Sequence, residues 1–350
     1  MLRGLVVLLL MLLASCSTQK DMTFSLKFAA YKALFIDEGR VVDTGNGNVS
    51  HSEGQGYGML FAVQANDQET FDSLWQWTQQ VLQRNDGLFS WRYRPCDTRD
   101  SQCIDDPNNA SDGEILIAWA LLRASERWDN TTYKNAAINI IKGVEVKLIK
   151  RSNDLTLLLP GEFGFEDEES IQLNLSYWVF PALLNLKKYS DEPGTWQSLY
   201  DSGQKLLQHM QFSEYRLPSD WVRLETTTQT QRRLEERLTL QNVISSEYGF
   251  NAVRIPLHLA WSLGSVKQGE SQLFSPYIAW WQQGKVPATV NLTSGNTANY
   301  EMTQGMVAIK GAVKNILQEE PLEWPDIRRR TDYYSASLTL LSMLAVMDNQ

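Results

Sequence analysis

Two short stretches of this chain place a carboxylate where it can do chemistry. One is Ser52-Glu53-Gly54-Gln55-Gly56-Tyr57-Gly58-Met59, and the other is Ser111-Asp112-Gly113-Glu114. Each reads Ser, acid, Gly, then Gln or Glu three places after the Ser, the spacing of a capping box that opens a helix. Apolar helical runs follow, Met59 to Val63 in the first case and Ile115 to Trp128 in the second. An acid in a first turn lies beside backbone N–H groups that have no helical partner, and it also complements the helix dipole with no further role. The repetition argues for more. Two carboxylates at two helix N-termini supply an acid and its partner if those termini meet, and Gly54, Gly56 and Gly58 permit close approach of backbone or ligand.

The elements that must position them fill a chain of 350 residues with 43% hydrophobic content, enough for one large globular domain or two small ones. The net charge of −9 is spread along the sequence, and the absence of a basic face excludes a nucleic-acid binder. Twelve Trp and thirteen Tyr suit stacking on sugar rings, and equally a large core. At the start, Arg3 and the apolar Leu5 to Leu13 read as a signal peptide too short to span a bilayer. Leu13-Ala14-Ser15-Cys16 resembles a bacterial lipobox, which implies a signal peptide over residues 1–15, cleavage before Cys16 and lipid on its thiol. An ordinary signal peptide cut nearby is the alternative. Ser17 rather than Asp after Cys16 points to the outer membrane of a Gram-negative cell, facing the periplasm. Residues 16–25 read as a tether and residues 26–350 as a single domain.

Cys96 and Cys103 stand seven apart in a polar loop of a chain bound for an oxidising compartment, so a local disulfide is expected. His51, His209 and His258 show no ligand spacing, and no metal or other cofactor is called for. Helical periodicity recurs over Leu26 to Ile36, Thr70 to Gln83, Tyr133 to Leu148, Tyr177 to Tyr189, Thr195 to Met210, Asn251 to Leu263, Phe274 to Gln283, Thr303 to Leu317 and Tyr333 to Met347. Asp154 to Glu169 reads as turn, and Glu225 to Asn242 as an exposed loop with some helix. With the two motif helices this makes about twelve helical stretches, alternately nearly all apolar and amphipathic, without strong strand alternation. A ring of helical hairpins fits this all-α pattern; no repeat of fixed period points to a solenoid.

At these residues the sequence resembles glycoside hydrolase family 8. The first stretch is similar to that family's general-acid motif, and Ala110-Ser111-Asp112-Gly113-Glu114, with Ala118, Ala124 and Trp128, to its second signature, where Glu114 replaces the usual Asp. Asn174-Leu175-Ser176-Tyr177 with Pro181-Ala182, Leu217-Pro218-Ser219-Asp220-Trp221-Val222 and Asn251-Ala252-Val253-Arg254-Ile255-Pro256 are similar to three further blocks. The resemblance runs from about Ala30 to Leu344 and is strongest to exported or lipid-anchored enzymes that accompany bacterial exopolysaccharide, especially cellulose. It implies an (α/α)6 barrel and an inverting, endo-acting hydrolase of β-1,4-glucan with Glu53 as general acid. Asp112 would hold the sugar at the cleavage subsite and, ionised, raise the pKa of Glu53 against the helix dipole. Tyr177 would position water or ring, Arg254 would anchor the carboxylates, and Trp91 and Trp221 are candidate stacking platforms. The expected partners are a polysaccharide substrate and, through Cys16 alone, a membrane; a monomer is expected.

One departure bears on the mechanism. The fifth block usually begins Asp-Ala, and that Asp is the general base; here Asn251 stands in its place, and an amide cannot accept a proton at useful pH. Another carboxylate would then serve, with Asp220, Glu247 and Asp112 as candidates, as in a chitosanase-type branch with a relocated base. A weak enzyme with Asn251 holding water, or an inactive polysaccharide-binding lipoprotein of a secretion system, are the other readings.

Overall fold

The computed structural model describes residues 20–96, 103–226, 232–240, 246–263 and 271–350. The stretch expected as signal peptide and Cys16 lie outside the described residues. Helix α1 covers residues 20–35, so part of the stretch expected as tether is already helix. There follow α2 (Ser52–Gln64), α3 (Gln68–Trp77), α4 (Ser111–Trp128), α5 (Thr131–Lys147), α6 (Phe180–Leu186), α7 (Pro193–His209), the single turn α8 (Leu234–Arg237), α9 (Ile255–Ser262), α10 (Ser271–Trp281), α11 (Gln304–Gln318) and α12 (Tyr333–Asp348). The expected all-α double barrel is what the chain forms. Helices buried on nearly every side, α2, α4, α9 and α12, alternate with amphipathic ones such as α3, which buries only Phe71, Leu74 and Trp75. A helix apolar all round has to sit inside, and one with a single apolar stripe covers it.

The inner helices close a ring: α2 packs on α4, α4 on α6, α6 on α9, α9 on α12, and α12 back on α2. Their N-termini gather at one end and their C-termini at the other. Short antiparallel pairs decorate the end where the inner helices start, among them Ser50–His51 with Arg92–Tyr93 and Glu247–Tyr248 with Val290–Asn291. A third pair, Ile149–Ser152 with Leu155–Leu158, replaces part of the turn expected after Asp154. These strands are only two to four residues long, too short to show alternation in the sequence. A disulfide joins Cys96 to Cys103.

The capping boxes expected at the two motifs do not form. His51 and Ala110 are the cap residues, neither caps through its side chain, and Ser52 and Ser111 are already helical. Gln55 instead points inward, accepting from Val41 N–H at 2.6 Å and donating to Thr78 Oγ1 at 2.8 Å. Glu114 likewise accepts from Phe89 N–H at 2.9 Å. Buried backbone groups of neighbouring loops have no water to turn to, so they outcompete the helix's own N-terminus for these side chains.

The small residues of the motifs serve packing. A Cβ on Gly113 would lie 2.1 Å from Ser52 Oγ, and one on Gly56 would lie 2.6 Å from Leu116 Cβ and 3.2 Å from Ile117 N. Helices α2 and α4 therefore touch backbone to backbone along their first turns, which brings Glu53 and Asp112 to one end of the ring. Gly56→Ala should cost about 1–3 kcal/mol by overpacking, read as a lower denaturant midpoint at unchanged slope.

Candidate active site

Glu53 and Asp112 are each the second residue of an inner helix, and a buried arginine stands between them. Arg254 ends the 3-10 turn Ala252–Arg254 that leads into α9 and is 4% exposed. Its Nη1 donates to Glu53 Oε1 and, at 3.0 Å, to the Tyr57 hydroxyl, and it lies 3.9 Å from Asp112 Oδ2. Its Nη2 donates to Ser176 Oγ at 2.9 Å and to Asn251 Oδ1 at 3.0 Å. The Tyr57 O–H donates to Glu53 Oε1 at 3.0 Å, and Asn174 Nδ2 donates to Asn251 Oδ1 at 3.2 Å. One guanidinium thus ties together α2, α4, the turn Leu175–Tyr177 and α9. With Oε1 occupied, Glu53 Oε2 has no hydrogen-bond partner among the described residues, and the side chain keeps 21% exposure. That oxygen is open to a substrate.

Burial sets the protonation of the acids around it. Asp112 accepts from the Gly113 N–H at 2.8 Å, yet desolvation raises its pKa to about 7. Asp112 is therefore itself the raised group, where an ionised neighbour tuning Glu53 was expected: a carboxylate taken out of water loses more than one N–H bond returns. Glu114, fully buried, is pushed up to about 8 for the same reason. Burial also raises the Tyr177 hydroxyl, with the charge of Asp112 adding to it, and lowers His258 to about 3, with Arg254 one turn away adding to that.

Asp220 and Glu247 diverge. The Asp220 carboxylate receives the N–H groups of Gly249, Asn251 and Ala252 at 3.0, 3.1 and 2.7 Å and also faces the Asn251 side-chain amide. Burial raises it to about 6 against those bonds. Glu247 contributes only backbone to this network, its carbonyl accepting from Asp220 N–H at 2.6 Å. Asn251 is held from all sides, its Oδ1 by Arg254 and Asn174 and its amide by Asp220.

Trp221 stacks parallel to Phe165 at 5.9 Å and meets Tyr177 edge-on at 6.1 Å. With Gln172 and Arg223, Trp221 and Phe165 line a cavity of about 250 Å³ beside the site. Trp91 is differently placed: the Arg92 guanidinium lies 4.4 Å over its ring, its indole N–H donates to Asp106 at 2.7 Å, and its carbonyl accepts the Ser52 N–H at 3.0 Å. It supports the start of α2 and is not among the residues of that cavity.

Sequence reasoning missed Tyr57, Asn174, Ser176 and Phe165. Tyr57 had a signal, one helical turn after Glu53 on the same face; Asn174 and Ser176 lay inside a block singled out only for Tyr177. Phe165 had none, since a loop aromatic is paired only by the fold.

Stability should report the raised acids. Asp112 and Glu114 hold protons in the folded chain after the unfolded chain has released them near pH 4, so stability falls as pH rises towards their folded values. Below about pH 6.5 the buried neutral histidines oppose this. The fall is therefore clean between pH 6.5 and 8, read as a declining melting temperature, and Glu114→Gln, which keeps the acceptor for Phe89, should flatten it.

The geometry has counterparts. The family model of glycosyl hydrolases family 8 matches residues 4–348. An endoglucanase of Cellulomonas uda is 37% identical over 298 residues, 84% of this chain and 77% of that protein. A probable endoglucanase of Novacetimonas hansenii is 34% identical over 324 residues, covering 91% and 90%. Among solved structures, the family 8 endoglucanase Cel10 of Klebsiella pneumoniae superposes with a TM-score of 0.82 at 38% identity, covering 93% of this chain and all of that one.

Proposed function

The chain belongs to glycosyl hydrolases family 8 and is a glycosidase, and from that membership and the geometry around Glu53 we propose an inverting, endo-acting hydrolase of β-1,4-glucan. The observation that carries this reading is the free Oε2 of Glu53 beside the buried Arg254–Asn251–Asp220 network. Glu53, protonated, gives its proton to the glycosidic oxygen as the bond to the anomeric carbon breaks. A water attacks that carbon from the opposite face, as inversion requires. Asn251 cannot take the water's proton because it is an amide with its oxygen already filled. We assign that proton to Asp220, whose value of about 6 suits a base working near neutrality. Asp112 holds a sugar hydroxyl at the cleavage subsite, and Trp221 with Phe165 forms a platform for a neighbouring ring. The endoglucanase names of the relatives and the aromatic cavity favour a glucan chain entered internally.

Glu53→Gln should remove the release of reducing ends from soluble β-1,4-glucan while oligosaccharide binding persists. The wild-type product should appear first as the α-anomer by NMR. Retained binding without cleavage in the wild type as well would leave a glycan-binding protein. Asp220→Asn should lower kcat by about 10²–10⁴-fold and abolish the acidic limb of its pH profile, with Glu247→Gln unchanged; an intact limb removes Asp220 from this role.

We also propose export and lipid attachment at Cys16, placing the enzyme at the outer membrane where a secreted glucan passes. The Leu13-Ala14-Ser15-Cys16 stretch supports this. Metabolic labelling with palmitate should mark the wild type and not Cys16→Ser.

A further inference from the structure

The end of the barrel opposite Glu53 carries a feature the reaction does not use. There the C-terminal turns of α2, α4, α6, α9 and α12 surround a basin of about 760 Å³. Arg123 is spent within it, paired with Asp348 at 2.6 Å, and Glu126 accepts from the Tyr189 hydroxyl at 2.6 Å. Arg127, Lys187 and Lys188 line the same basin and form no ion pair among the described residues; Arg127 and Lys188 are exposed. Part of this charge answers the helix C-termini. Arg127 also donates to Asn66 Oδ1 and Lys187 to Gln197 Oε1, and four cations against Glu126 and Asp348 leave a surplus of two positive charges on a chain of net charge −9.

The chain's own course shows what lies against this end. Lys20, the first described residue of α1, reaches the Gln350 side chain, two residues beyond Asp348 on the basin wall. Cys16 precedes Lys20 by four residues, which span at most about 14 Å even when extended. Met22, 60% exposed, lies two residues further along the same helix. Helix α12, with its 16 residues, holds this end about 24 Å from the catalytic one.

We propose that this end of the barrel docks on an anionic phospholipid bilayer, with Arg127, Lys187, Lys188 and Lys20 against the headgroup phosphates and the Glu53 end turned away from the membrane. The proposal rests on the lipid anchor at Cys16 for its orientation and on the surplus cations for its chemistry. Each basic residue near an anionic surface strengthens partitioning roughly fivefold, and salt weakens it.

The test uses the full, lipid-modified chain on vesicles of phosphatidylcholine with or without phosphatidylglycerol. Amine labelling read by mass spectrometry compares Lys187 and Lys188 with Lys285, whose side chain is 86% exposed. Phosphatidylglycerol should lower labelling of Lys187 and Lys188 several-fold, leave Lys285 unchanged, and lose this effect at high salt. Arg127→Glu with Lys188→Glu should abolish the protection of Lys187 while hydrolysis of soluble glucan stays at the wild-type rate. Equal labelling of Lys187 and Lys188 on both vesicles overturns the proposal. Should palmitate labelling show no lipid on Cys16, co-sedimentation of the same chain decides: preference for phosphatidylglycerol vesicles sustains the docking surface alone, and indifference overturns it.

Discussion

A single buried guanidinium organises the catalytic end. Arg254 is taken out of water, which is unfavourable for a charge unless close partners compensate it. Here Glu53, Tyr57, Ser176 and Asn251 answer its two Nη groups, Asp112 stands 3.9 Å from Nη1, and Nε has no hydrogen-bond partner among the described residues. These hydrogen-bonded partners come from three segments, α2, the turn Leu175–Tyr177 and the stretch that carries Arg254 itself, so the charge is paired only when those segments are all in place. The arginine is therefore as much a condition for closing the ring as a member of the site.

The ring gives the molecule two chemically different ends. Helices α2, α4, α9 and α12 all point their N-termini the same way, so unpartnered N–H groups collect where carboxylates and substrate meet. Unpartnered carbonyls collect at the other end, where Trp261 and Arg123 converge on Asp348. Polarity of this kind follows from joining each inner helix to the next through an outer one that returns the chain to the start.

Much of this was legible in the residues. Helix boundaries came through because inner and outer helices differ in how much of their surface is apolar, a contrast visible in α12 against α3. Glu53, Asp112 and Arg254 could be singled out because their motifs are long, and the fold brings the three side chains together. The capping boxes misled because Gln55 and Glu114 have two uses for one spacing, and only the fold decides which neighbour needs the side chain more. Trp91 misled for a similar reason: an aromatic's face is free or covered according to what the fold lays on it, here Arg92. The raised pKa of Asp112 was invisible because burial is a property of the closed ring.

The contact between Gly113 and Ser52 has a consequence for how such a chain can vary. It fixes the rotation of α2 against α4, and one residue added to the first turn of either helix would swing its carboxylate by about 100° around the axis. Length is thus constrained within these two turns, where a deletion is as damaging as an insertion. The exposed turn over residues 44–48 has no such phase to keep. Insertions and deletions should be tolerated in that exposed turn and purged from the two Ser–acid–Gly turns, so that the spacing of these motifs outlasts the identity of the residues between them.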